Sequence, residues 1–190
     1  MYPENVSLRL VGLKRLLMHC GRMADPLDPA TKALKRLTGR RMKTEADHEE
    51  IGKIEWNGSL WLDAGRPCIP AEALAGTFVA AAKTLKRKDA ARAGLVVERN
   101  ALLEYDGPAD LDELWSSPEF KLRALVKIGG ARMVRTRPCF KDWAVTFTAH
   151  YLPSLWNRED VVEMYRLAGF TKGLGDWRPT NGTYLVEEIG

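Results

Sequence analysis

Two stretches of this 190-residue chain carry cations without a single acid. Lys32 to Lys43 (KALKRLTGRRMK) holds six basic side chains, among them Lys35, Arg36, Arg40, Arg41 and Lys43. Lys121 to Arg137 holds six more, among them Arg132, Arg135 and Arg137. Such blocks bind polyanions by neutralising phosphates and releasing counterions. The second block runs into RTRPCFKDW, where the arginines are followed closely by Phe140 and Trp143. Guanidinium groups interleaved with rings hold single strands by charge and stacking, each stacked base contributing about 1–3 kcal/mol. The competing reading puts Phe140 and Trp143 in the core and leaves only the arginines outside. A third candidate is the glycine-rich AGFTKGLGDWRPTNG, residues 168–182. There the glycines allow a backbone to approach a phosphate closely, Lys172 and Arg178 supply charge, and Trp177 supplies a stacking face. A dinucleotide fingerprint needs a strand before its glycines and a helix after them, and here that order is reversed. A turn with a helix cap explains the same glycines equally well.

Other reactive residues are scattered. His19, His48 and His150 show no metal-ligand spacing. His19 adjoins Cys20, but adjacent side chains of an extended segment point opposite ways, which disfavours a thiol–imidazole pair. Asp47, Glu49, Glu50 and Glu55 read as a solvated helix face. The three cysteines are odd in number and widely spaced, and read as reduced thiols. With no Walker loop, nucleophile elbow or zinc signature, the chain reads as a binding protein, not an enzyme, with no cofactor and no metal.

The formal net charge of +4 is an average, because acidic stretches at Glu45–Glu55 and Glu104–Glu113 offset the basic blocks. Hydrophobic residues at 45% and charged residues at 28% exclude a disordered tail. The longest apolar run, Ala71–Ala82, is interrupted by Glu72, Gly76 and Thr77, so no bilayer span is expected. The first residues lack the basic and apolar regions of a signal peptide, which points to the cytoplasm.

Alternation of Val6, Leu8 and Leu10 predicts a first strand over 6–11. Asp28-Pro29 predicts a helix start and Gly39 a C′ glycine. Thr44 is placed to cap a second helix ending at Asn57-Gly58. A hairpin is expected through Ala64-Gly65-Arg66, then a helix over 70–86 and strands over 95–98 and 101–105. Asp110–Trp115 reads as one helical turn, and 125–128 with 133–136 as a hairpin through Gly129-Gly130. A strand over 143–151, a helix from the Asn157 cap to Gly169 at C′, and a strand over 182–188 complete the chain. These elements make two β-α-β copies, an α+β ferredoxin-like plan with a four-stranded antiparallel sheet and helices on one face. The plan places one domain over 1–190, with basic insertions at about 21–69 and 106–141.

A first strand ending in glycine, the β-α-β units and the C-terminal loop GLGDWRPTNGTYLV resemble the RAMP superfamily of CRISPR proteins, especially the subunits that polymerise along guide RNA. The chain also resembles small uncharacterised phage proteins with stretches such as LLMHCGRMADPLDPATKALKRLT, KTEADHEEIGKIEW, RTRPCF and GLGDWRPTNG. The Trp-Arg-Pro centre of the loop departs from the RAMP pattern. The resemblance implies an RRM-like fold and assembly of identical subunits along a strand.

The expected function is therefore binding of single-stranded DNA or RNA as a homo-oligomer, without a membrane. Two alternatives follow from other classes. One is an interaction protein meeting an acidic host partner, for example an inhibitor of CRISPR defence. The other is a RAMP-type ribonuclease using His19 or His48 as general acid or base.

Overall fold

The computed structural model describes residues 2–189, and only the backbone of 127, 128 and 131. In chain order the elements are β1 (Glu4–Gly12), β2 (Leu16–Leu17), α1 (Pro29–Thr38), α2 (Glu45–Ser59), β3 (Leu62–Asp63), β4 (Arg66–Ile69), α3 (Ala71–Thr84) and α4 (Lys88–Gly94). They continue with β5 (Leu95–Val97), β6 (Ala101–Glu104), α5 (Leu111–Ser116), β7 (Lys121–Ile128), β8 (Ala131–Phe140), β9 (Ala144–Tyr151), α6 (Arg158–Thr171) and β10 (Tyr184–Ile189). The protein is α+β with a mostly antiparallel sheet. No helix among the described residues is long and apolar enough to cross a membrane.

The chain divides into two compact units. The first comprises residues 1–16, 62–106 and 141–190, and the second 17–61 and 107–140. The segments read as insertions fall mostly in the second unit, where they build a sheet of their own.

The first unit is organised on a sheet in the order β10-β1-β9-β6-β4-β3, with β5 also paired to β9. The expectation of four strands is corrected to seven among the described residues. The extra strands arise in two ways. β5 and β6 each occupy part of β9, at Leu95–Val97 and Leu103–Glu104, so one predicted strand position is filled by two pieces. β4 then pairs with β6, and β3 with β4, which carries the sheet outward through the Ala64-Gly65 hairpin. Period-2 alternation holds in β1, where Val6, Leu8 and Leu10 are buried. Phe147 of β9 and Phe78 of α3 both meet the ring of Tyr165 in α6, at 5.2 Å, so both crossover helices cover one apolar face.

Two glycine assignments change. Gly169 does not end α6, which runs on to Thr171, because it is where the helix touches β10: a Cβ there would overlap the Tyr184 carbonyl oxygen. The left-handed stop comes at Gly173 (φ +68°), whose N–H donates to the Ala168 carbonyl at 2.9 Å. Gly39 follows α1 in a right-handed conformation (φ −74°), so its position rather than its freedom matched the prediction.

The second unit packs α1 on α2 and α2 on a sheet ordered β2-β8-β7. The β7–β8 hairpin is longer than predicted, pairing from Lys121↔Pro138 to Ile128↔Ala131. Its core holds Leu37, Trp56, Leu114, Phe120 and Phe140. The buried Trp56 indole donates to the Phe120 carbonyl at 2.8 Å, and Phe120 lies 5.7 Å from Phe140.

Candidate nucleic-acid interface

Of the residues singled out by charge, the second unit holds Lys35, Arg36, Arg40, Arg41, Lys43, Arg132, Arg135 and Arg137. The first unit holds Lys172, Trp177 and Arg178.

In the second unit, α1 begins at Asp28, whose carboxylate accepts the Ala30 N–H at 2.8 Å, with Pro29 in the first turn. Its buried side is Leu37, while Lys32, Lys35 and Arg36 are exposed. The chain then turns into α2 through a capping box: Asp47 N–H donates to Thr44 Oγ1 at 3.2 Å, and Thr44 N–H donates to Asp47 Oδ2 at 2.9 Å. Arg40 pairs with the same Asp47, and Lys43 donates to the Arg40 carbonyl at 2.8 Å. Arg41 is exposed. Asp47 is thus not the solvated acid its helix pattern suggested. The Thr44 N–H, and then Arg40, hold its carboxyl below the ordinary range despite partial desolvation. A carboxyl depressed in the folded state stabilises above the unfolded value, near about 3.9, and that contribution is lost as pH falls through the folded value. Asp47→Asn should therefore flatten the acid side of a plot of urea midpoint against pH. A curve unchanged from the parent would remove this assignment.

Glu55 departs further from the expected solvated face. It is 3% exposed; one carboxylate oxygen pairs with Arg135 and the other accepts the Thr136 N–H at 3.0 Å. Glu49 and Glu50 are exposed. The two buried acids of α2 thus each hold an arginine, Asp47 from the first basic block and Glu55 from the second. No group of three His, Cys, Asp or Glu among the described residues is placed to hold a metal ion.

Arg137 lies on the same side of β8 as Arg135. It donates to Ser59 Oγ at 3.4 Å and to His19 Nε2 at 3.3 Å. A guanidinium has no acceptor, so the imidazole accepts through Nε2. Arg135 and Arg137 form one wall of a cavity of about 340 Å³, whose other walls include Met23, Leu34 of α1, and Ser59 of α2. The first block contributes its apolar Leu34 to this cavity and none of its cations. Arg132, at the hairpin end, is exposed; it stands opposite Lys127, whose side chain lies outside the described residues.

A second, larger groove of about 890 Å³ lies between α2 and the hairpin, with Glu45, His48, Glu49, Trp115, Lys121 and Arg123 in its lining. The Lys121 ammonium stands 4.3 Å from the Trp115 ring centroid, a cation–π contact. Gly52 keeps the floor open, since a Cβ there would come within 3.2 Å of Thr136 Oγ1 and 3.6 Å of Trp115. Trp115 escaped the sequence reading because it ends an acidic stretch that resembled an isolated helical turn. Its half-exposed ring beside two cations is the feature that reading sought in RTRPCFKDW.

No protein-family model and no curated protein matches the chain.

That segment itself resolves in favour of burial. Phe140 is in the second unit's core. Trp143 is in the first unit's core, 3% exposed, with its indole donating to the Lys14 carbonyl at 2.9 Å. Neither ring is available for stacking. The glycine-rich loop of the first unit is also tied inward. Leu174 N–H donates to the Gly182 carbonyl at 2.8 Å, Gly182 N–H to the Arg15 carbonyl at 2.9 Å, and Arg15 Nε to Asn181 Oδ1 at 2.9 Å. These glycines serve backbone contacts within the protein. Around them Arg178 is exposed, while Lys172 and Trp177 are half-buried. The open face of the first unit's sheet carries Arg9 between Glu104 at 2.8 Å and Glu187 at 3.1 Å, and Thr146 donates to Glu104 at 3.1 Å. Arg9 chiefly, and Thr146, hold the Glu104 carboxyl below its ordinary range. That face neutralises its own cation.

Proposed function

We propose that the protein binds single-stranded nucleic acid through its second unit. The observation that carries this reading is the pair Arg135 and Arg137 of the second block lining one cavity, with the apolar Leu34 as the first block's contribution. Exposed Lys32, Lys35, Arg36, Arg41, Arg123 and Arg132 contact phosphates, while Arg40 and Arg135 are held by α2 and shape the surface. Trp115 offers a stacking face, one side of its ring being covered by the Lys121 ammonium, which a bound base displaces. In the first unit, the strand order β10-β1-β9-β5/β6, with α3 between β1 and β5 and α6 between β9 and β10 in the chain, supports a ferredoxin-like, RAMP-type reading. In the first unit, Arg178 is a separate candidate phosphate contact, with the half-buried Trp177 next to it in the chain, and identical copies assemble along the strand.

Fluorescence anisotropy with labelled single-stranded DNA and RNA tests this directly. Contacts by four to six cations give a log-log salt dependence of about −3 to −4, at about −0.7 per phosphate. Trp115→Ala should weaken binding about tenfold, the loss of roughly 1–3 kcal/mol of stacking. Absence of binding at low salt refutes the function, and sedimentation of the complex measures how many copies a strand carries.

A further inference from the structure

The cavity of about 340 Å³ is near the lower end of the range of small-molecule pockets, about 300–1,000 Å³, and so has room for a small ligand such as one nucleotide. Its polar wall is built and not fortuitous. Arg137 is held from two sides, by Ser59 Oγ at 3.4 Å and His19 Nε2 at 3.3 Å, so its planar fork is oriented before any ligand arrives. The neighbouring Arg135 is fixed by Glu55, whose second oxygen is occupied by the Thr136 N–H. The carboxylate that lines the cavity is thus engaged at both oxygens. The lining also includes the apolar side chains of Met23, Ala24 and Leu34. Met23 owes its place to Gly58, where a Cβ would overlap its sulfur. An oriented guanidinium in a cavity that also has apolar lining suits a molecule with an anionic, tetrahedral end and a flat apolar body.

We propose that this cavity is a phosphomonoester pocket that seats one terminal nucleotide, its phosphate on Arg137 and its base against Met23 and Leu34. This rests on the nucleic-acid reading and adds an end preference to it. A phosphomonoester carries more charge than the diester inside a strand, and bidentate guanidinium–phosphate contact rewards the exposed oxygens of an end. Ser59 and His19 act as positioning residues for the guanidinium.

The test compares labelled oligonucleotides of one sequence ending in 5′-phosphate, 3′-phosphate or hydroxyl, with titration of free nucleoside monophosphate against nucleoside by calorimetry. The expected result is at least tenfold tighter binding of one phosphorylated end than of the hydroxyl end at equal salt, with Arg137→Gln reducing that ratio to about one whatever it does to overall affinity. Ser59→Ala, a milder change, should reduce the ratio without abolishing it. Binding of nucleoside monophosphate but not nucleoside, with no preference between strand ends, assigns the same pocket to a free nucleotide. Equal binding of all ends with no affinity for the monophosphate overturns the pocket while leaving the nucleic-acid reading intact. Failure of every oligonucleotide to bind overturns that reading, and calorimetry with the monophosphate then decides the pocket alone.

Discussion

Gly182→Ala should cost the protein about 4 kcal/mol or more, enough to abolish soluble expression or to shift the urea midpoint by most of its value. A Cβ at this position would overlap the Leu174 carbonyl oxygen and lie 2.8 Å from its carbon, and the backbone sits at φ +70°. Both obstacles are main chain, so no side-chain rotation relieves them. The Leu174 and Gly182 segments cannot separate without breaking the Leu174 N–H to Gly182 carbonyl bond, and Gly182 is further tied by its N–H to the Arg15 carbonyl. Gly76→Ala provides the contrast. It lies within α3, exposed, with nothing within 4 Å of the added methyl, and should stabilise by about 0.5–1 kcal/mol through helix propensity. Urea unfolding of the two variants checks both signs. A Gly182→Ala protein with a parental midpoint would mean the close approach of Leu174 and Gly182 is wrong.

Glu55→Ala has the next largest expected effect. Removing one member of a buried ion pair typically costs about 3–5 kcal/mol, since the remaining charge is left desolvated. Arg135 keeps 26% of its side-chain exposure, so the lower end, about 3 kcal/mol, applies. Thr136 N–H loses its acceptor in the same change. Glu55→Gln retains an acceptor for that N–H and should cost roughly half as much. In a double-mutant cycle with Arg135→Ala, the two losses should fall short of additive by about 1–3 kcal/mol. A Glu55→Ala penalty below about 1 kcal/mol would show that the carboxylate is solvated after all.

The signals legible in the sequence were local ones. Asp28-Pro29, Thr44 and Asn157 all cap the helices predicted from them, because a cap is a contact between residues two or three apart. The alternation of β1 and β9 was readable for the same reason. What escaped depends on partners far along the chain. Glu55 and Asp47 have the spacing of an exposed acidic face, and only Arg135, 80 residues distant, makes Glu55 a core residue. Trp143 and Phe140 have the composition of a binding surface, but their rings are consumed by two different cores. Gly169 resembles a helix stop until Tyr184 is seen against it. In the candidate interface, the cations were found by counting, whereas Trp115 and His19 joined it only through packing.

The way the two units share the chain also sets an order of synthesis. Every segment of the second unit has been made once residue 140 is joined. The first unit, by contrast, holds β1 from the outset, but its two neighbours in the sheet, β9 and β10, span residues 144–189. Domains generally fold as units during vector synthesis, at about 5–20 residues per second. The basic unit can therefore complete its core while β1 still waits, with Val6, Leu8 and Leu10 uncovered, for its partners to emerge. On a ribosome surrounded by RNA, the surface proposed to bind a strand would be ready several seconds before the sheet built on β1.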